Sequence, residues 1–296
     1  MTIYWTQSTR SGLCDRLIDL FMVASMAKLY NKKLFMYWEE QPINKLQEHI
    51  WNKRRKQDYM YEIVSQYFIF PGVINVVSEL EFSKLMEDKT NTDMVFDIYL
   101  GGVYSPITFY DKFVNQKYSI DEYLSEFHKL TRSFCPTVKL YDLVGDISDD
   151  VVSVHLRRTD KTCSLIPHEE AYGVAHNELS ELDQMTTRVL DKLLLDEEMR
   201  VYFASDCDET KETYENDYKN RCIDEIELND DIEHTYVDLY MMSRSKNIIL
   251  SQRHSSFSLF ASMMTGTNLI YLYNDSIICK NGYNTFDNMI FYEEIM

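Results

Sequence analysis

The stretch VVSVHLRRTDKT, residues 151–162, changes character at its middle. Val151, Val152, Val154 and Leu156 are apolar and Ser153 is small, as suits a buried strand. Arg157, Arg158, Asp160 and Lys161 follow at once. Charge at the carboxyl end of a central strand lies where open α/β sheets bind ligands. Alternation puts His155 and Arg157 on one side of the strand and Arg158 on the other. A guanidinium fork matches phosphate oxygens two at a time, and a diphosphate leaving group needs such a donor as charge builds on it. The competing reading is a surface salt-bridge cluster in which Arg158 pairs with Asp160.

Outward from this strand the chain alternates strand and helix. Downstream, Leu179, Leu182, Met185, Val189, Leu190, Leu193 and Leu194 recur at helical spacing. RVYFA at 200–204 reads as a strand, 208–218 and 231–244 as helices, NIIL at 247–250 as a strand, 255–264 as a helix and NLIYLY at 268–273 as a strand. Upstream, Ile3, Tyr4 and Trp5 form a short strand, residues 8–15 a polar loop around Gly12, residues 17–30 an apolar helix with Asp15 as N-cap, and residues 34–38 the next strand. That βαβ unit implies a parallel sheet. Residues 45–67 read as helical and 70–145 as short apolar stretches between polar turns. A boundary falls near Gly145 and residues 146–150. The expectation is an α/β protein of two doubly wound domains, 1–145 and 146–296, facing each other across a cleft, with the last segment a candidate to pack back on the first domain.

Bulk properties narrow the partners. The 296 residues carry a net charge of -18, with 45% hydrophobic and 14% aromatic content, which describes an ordinary globular chain. Such acidity argues against nucleic acid, since phosphate backbones require a basic field. A local basic cluster in an acidic chain therefore reads as a focused anion site. The six cysteines are scattered with no C-x-x-C pair, which suggests reduced thiols and no zinc site. No signal peptide or transmembrane stretch is apparent, so a cytoplasmic location is expected.

Four further stretches carry candidate chemistry. In SGLCDR, residues 11–16, Gly12 permits close backbone approach, the following helix N-terminus offers amides to an anion, and Arg16 adds charge. A capped βα turn is the bland alternative. Asp206-Cys207-Asp208 has the form of a metal–diphosphate site, but a strand-end turn with Asp208 as cap is preferred. Asp238 is a lone carboxylate in an apolar helical segment. It is either an outward-facing residue or a partner for guanine, whose N1–H and 2-amino group together fit a carboxylate; uracil offers one such donor. Ser255 and Ser256 precede an apolar helix, as phosphate contacts or as an N-cap. G-x-G-x-x-G, the Walker A pattern and G-x-S-x-G are all absent, and His49, His128, His168, His176 and His234 show no metal spacing.

Taken together, HLRRTDK, IPHEEAY, RVYFASD, VDLYMMSRS, ILSQRHSSF and SGLCDR resemble, in order and spacing, blocks of the fucosyltransferase superfamily with the GT-B fold. The nearest group is the α1,6-fucosyltransferases and NodZ-type enzymes with the H-x-R-R-T-D-K motif. The resemblance covers residues 8–40 and 150–265. It implies an inverting, metal-independent glycosyltransferase that moves a sugar, most simply fucose from GDP-fucose, onto a glycan hydroxyl, with no cofactor beyond the sugar nucleotide. By position it implies that His155 and Asp238 hold the base and Arg157 the β-phosphate. Arg158, Asp160 and Lys161 shape the catalytic site with Arg157. Ser255 or Ser256 contacts phosphate, and Gly12, Leu13, Cys14 and Arg16, with Asp206, line the donor pocket. The unmatched 41–145 would carry acceptor specificity.

One departure stands out. The family carries a glutamate shortly after the lysine, proposed as the base for the acceptor hydroxyl. Here Thr162, Cys163, Ser164 and Leu165 follow, and the first carboxylates are Glu169 and Glu170. One of these, Asp160, or a residue of 41–145 would take the role. The missing anchor of the eukaryotic Golgi members fits a bacterial or viral origin. A UDP-xylose enzyme and a non-catalytic glycan- or nucleotide-binding module on the same scaffold are the alternatives.

Overall fold

The computed structural model describes residues 2–7, 12–38, 61–87, 92–96, 105–148, 150–158, 176–224, 226–228, 233–251, 255–272 and 289–296. In order these form β1 (Thr2–Gln7), α1 (Leu13–Leu29), β2 (Lys33–Trp38), α2 (Tyr61–Tyr67), β3 (Phe68–Ile69), β4 (Ile74–Val77), α3 (Glu79–Glu87), β5 (Thr92–Phe96), α4 (Pro106–Phe113), α5 (Ile120–Arg132), β6 (Cys135–Pro136), α6 (Val138–Val144) and β7 (Val151–Leu156). Then come α7 (His176–Leu193), β8 (Arg200–Ser205), α8 (Asp208–Asp217), α9 (Glu233–Arg244), β9 (Asn247–Leu250), α10 (Ser256–Thr265), β10 (Asn268–Tyr271), β11 (Met289–Phe291) and α11 (Tyr292–Ile295). The chain divides into two compact units, with the principal break between Lys139 and Leu140, inside α6.

The first unit is built on a parallel sheet of order β4-β2-β1-β5. The helix after β1 begins a turn earlier than the sequence reading had it. Gly12 is its N-cap and Asp15 lies in its first turn, so the capping assigned to Asp15 is corrected. Residues 13, 14 and 16–27 of α1 are buried, as expected of a helix apolar nearly all round that packs on β1, β2 and α5. The stretch 105–144, read as alternating short segments, is largely helical. Ser119 and Glu122 form a reciprocal capping box that starts α5, a signal visible as S-x-x-E. Beside the main sheet, β3 and β6 form an antiparallel pair.

The second unit is a parallel sheet of order β11-β10-β9-β7-β8. All six residues of β7 are buried, as its apolar run demands. One face is apolar: Val152, Val154, Leu156, Val201, Phe203 and Ile249 pack with Leu182, Val189 and Leu190 of α7 and Tyr214 of α8. Each such burial contributes roughly 2 kcal/mol. The face under α9 and α10 carries Ser153, His155 and Tyr202, each hydrogen-bonded to a side chain of those helices or the turn after α9. α10 ends at Gly266, whose φ of 83° supplies the left-handed cap that a side chain resists. Met289–Phe291 extends the second sheet through β10–β11 pairing. Among the described residues no helix is long and apolar enough to cross a membrane, and none of Cys14, Cys135, Cys207 and Cys222 is in a disulfide.

Both sheets reverse their order of growth at one strand. In the first, successive strands run from β1 to β2 and β4, and β5 returns to the other side of β1. In the second, β8 and β9 flank β7. The carboxyl ends of β1 and β7 are therefore topological switch points, the usual ligand-binding places of such sheets.

Candidate functional site

At the end of β7 the two arginines have different environments. Arg157 is half-buried, and its carbonyl accepts a bond from Arg158 Nη1 at 3.3 Å. Arg158 is buried, on the α7 face as strand alternation requires. Its Nη2 donates to Asp183 Oδ1 of α7 at 2.6 Å and to Ser251 Oγ at 3.0 Å, and its Nη1 donates to the Ser251 carbonyl at 3.1 Å. Asp183 Oδ1 also accepts from the Tyr214 hydroxyl at 2.9 Å, and Thr186 donates to Ser251 Oγ at 3.0 Å. Burial, then the Asp183 charge, pushes the Tyr214 phenol well above its ordinary range. Every Nη of Arg158 is thus engaged by protein. Its contact with Asp183 is an ion pair; the alternative pairing of Arg158 with Asp160 falls on a residue outside those described. Asp160 and Lys161 lie outside the described residues, as do Glu169 and Glu170.

The turn after β8 is closed by side chains. Asp206 Oδ1 accepts the Arg158 backbone N–H at 2.6 Å, tying two strand ends together. Ser205 Oγ accepts from Cys207 N at 3.1 Å and donates to the Leu156 carbonyl at 2.8 Å. Cys207, not Asp208, is the N-cap of α8. This is the strand-end turn of the preferred reading, and it also fixes where Arg157 begins.

On the opposite face, His155 Nδ1 meets Ser258 Oγ at 2.6 Å, and its ring lies 5.5 Å from that of Phe257. Ser258 is fully buried in α10. Ser255 is the N-cap of α10, accepting from Phe257 N at 3.3 Å, and Ser256 is half-buried at the helix start. Asp238, in α9, is not an outward-facing residue. It is half-buried and accepts a short hydrogen bond from the Tyr202 hydroxyl on β8. Burial raises its carboxyl to about 6, while Lys211 and the Tyr202 hydroxyl pull it down. Tyr202 rises far above the usual phenol range, from burial first and from Asp238 second.

In the first unit, the sequence-selected loop residues are arranged around the start of α1. Gly12 has φ −66° and ψ 169°, and a Cβ there would meet only Asp15 Oδ2 at 3.6 Å. The fold itself does not demand glycine at this position. Leu13 and Cys14 are 2% exposed and Arg16 0%, its guanidinium 5.8 Å from the Trp38 ring centroid. Arg16, expected to offer charge to an anion, is a buried cation over an aromatic ring.

His155, Arg157, Arg158, Asp206, Asp238, Ser255 and Ser256 are thus placed in one unit around the end of β7. Sequence reading missed their partners Asp183, Tyr202, Ser251 and Ser258. Tyr202 was legible in one respect: it alternates with Val201 and Phe203 and so faces away from the apolar core.

No protein-family model matches the sequence, and no curated protein matches it. Solved structures do. The chain has the α/β, GT-B-type fold of fucosyltransferase structures, as the resemblance implied. NodZ alpha-1,6-fucosyltransferase co-crystallised with GDP aligns with TM-score 0.52 and 13% identity, over 93% of this chain and 96% of that one. NodZ alpha-1,6-fucosyltransferase soaked with GDP-fucose gives TM-score 0.52, 10% identity, and coverage of 92% and 95%. Fucosyltransferase NodZ from Bradyrhizobium gives 0.50, 11%, 89% and 93%. At such identities the likeness is one of fold.

Proposed function

We propose that the protein is a glycosyltransferase that uses a GDP-activated sugar, GDP-fucose, and transfers fucose to a glycan hydroxyl with inversion. The observation that carries this is the pairing of an arginine cluster at the end of β7 with a buried, polar-lined face holding His155 and Asp238. The GDP and GDP-fucose of the NodZ structures agree with that donor. The second unit would hold the nucleotide and the first the acceptor.

In this scheme His155 and Asp238 take the guanine, and Ser255 or Ser256 a phosphate oxygen. The acceptor oxygen attacks the anomeric carbon while the bond to the β-phosphate breaks. The electron pair leaves on the phosphate, which Arg157 neutralises. The acceptor proton passes to a carboxylate, with Asp160, Glu169 and Glu170 the nearest in sequence. Arg158 acts through position: held by Asp183 and Ser251, it fixes the strand end from which Arg157 projects. Arg157 supplies the positive charge the leaving group needs, so no metal enters the scheme.

Thermal unfolding with GDP, UDP and EDTA tests this. A ligand that binds the folded state raises the melting temperature. GDP should do so in EDTA, and UDP much less. Stabilisation by UDP alone would replace the donor, and none by either would remove the transferase reading.

A further inference from the structure

Tyr202 joins the proposed site from the strand beneath it. It is paired with Ser153 in the β7–β8 register, two residues from the Ala204–His155 pair and on the same face. Its hydroxyl donates to Asp238 Oδ1. Lys211 Nζ lies 5.7 Å from the Tyr202 ring centroid and 3.7 Å from Glu215 Oε1. The groups facing the carboxylate are Tyr202 from β8, Asp206 from the strand end, and Lys211 and Glu215 from α8. His155 shares the sheet face, and α10 contributes no titratable side chain.

A phenol that donates to one carboxylate oxygen has two effects. It fixes the plane of the carboxylate, as outer partners orient the groups that contact a ligand. It also favours the ionised form, against the burial that disfavours it. A charged carboxylate so held keeps Oδ2 and a lone pair of Oδ1 for two further donors. Guanine presents two adjacent donors on one edge, N1–H and the 2-amino group; uracil presents one. A protonated Asp238 would turn one acceptor into a donor and lose that match.

We propose that Tyr202 is the positioning residue for base selectivity: it holds Asp238 oriented and ionised so that the carboxylate accepts both edge donors of guanine. This deepens, and rests on, the GDP-sugar reading. Lys211, over the ring face and paired with Glu215, steadies the phenol from the α8 side.

The test is calorimetric titration of the full chain and its Tyr202→Phe and Asp238→Asn variants with GDP and UDP, from pH 5 to pH 8. In the unsubstituted protein GDP binding should weaken as pH falls through about 6, where Asp238 takes up its proton. Tyr202→Phe removes the bond that lowers the carboxyl's pKa, so its midpoint should move to higher pH. At pH 7 GDP affinity should fall about tenfold, as for loss of a hydrogen bond to a charged group. UDP affinity should not change, which also shows that the phosphate site is folded. Asp238→Asn should bind GDP on the order of 100-fold more weakly, with no midpoint near 6. Tyr202→Phe with the original GDP affinity and midpoint overturns the proposal, and so does an equal loss for GDP and UDP. Asp238→Asn with the original GDP affinity overturns the base assignment itself.

Discussion

The two sheets share a plan and differ in how their switch points are finished. At β7 the loop ends are tied by charged and hydroxyl side chains: Arg158 to Asp183 and Ser251, Asp206 to a backbone amide, Ser205 to the neighbouring strand. At β1 the following helix starts on Gly12 with no side-chain cap, and Leu13, Cys14 and Arg16 are buried immediately after it. The difference separates two ways of presenting a ligand site. A polar network fixes side chains in position, whereas a helix that starts on glycine offers backbone there.

The largest effect should come from breaking the network at β7. Arg158→Ala removes the cation from Asp183 and Ser251, leaving them only the Tyr214 and Thr186 hydroxyls, and we expect a loss of about 3 kcal/mol in urea-unfolding stability. Arg157→Ala should keep stability within about 1 kcal/mol and lower turnover on the order of 10²–10³-fold, as for loss of one transition-state donor. Equal stability losses in both variants would erase the distinction between positioning and catalysis.

A smaller effect tests the other face. The folded-state carboxyl of Asp238 is raised to about 6, so the folded chain keeps a proton that the unfolded chain has released. Stability is then greatest at low pH and is lost as pH rises through about 6. Asp238→Asn abolishes this dependence. Its melting temperature should exceed that of the original protein by a few degrees at pH 8 and match it near pH 4. A variant less stable at pH 8 would show that Asp238 holds the fold together.

The smallest effect concerns the first sheet. A Cβ at residue 12 meets only Asp15 Oδ2 at 3.6 Å, and φ is −66°. Reduced chain entropy and a poorer N-cap should nearly cancel in Gly12→Ala, to within about 0.5 kcal/mol. If Gly12 lines the donor pocket, as the resemblance implies, GDP-fucose binding weakens nevertheless. Unchanged binding would take this turn out of the site.

Much of the second unit was legible because its strands are continuous apolar runs and its helices keep a single apolar stripe. β7, β8, β9 and β10 begin where the sequence reading put them. The start of α1 was misplaced because an aspartate that suits an N-cap stood three residues inside the helix. The helices of 105–144 were obscured by mixed aromatic and charged residues, although S-x-x-E marks one of them. Asp238 was found as an anomaly of charge in an apolar segment. Its partner was not, because a tyrosine in a strand looks like core until its hydroxyl meets a carboxylate 36 positions away.

By itself the sequence determined the α/β alternation, the parallel sheets and the positions at which charge interrupts apolar runs, since periodicity and burial act along the chain. Only the tertiary structure decided what each charge does. Arg157 and Arg158 are adjacent and chemically identical, yet strand alternation turns Arg158 into a buried ion pair with a helix 25 residues away. Hydrogen-bond partners are chosen by packing between distant elements, and no local pattern of residues encodes that choice.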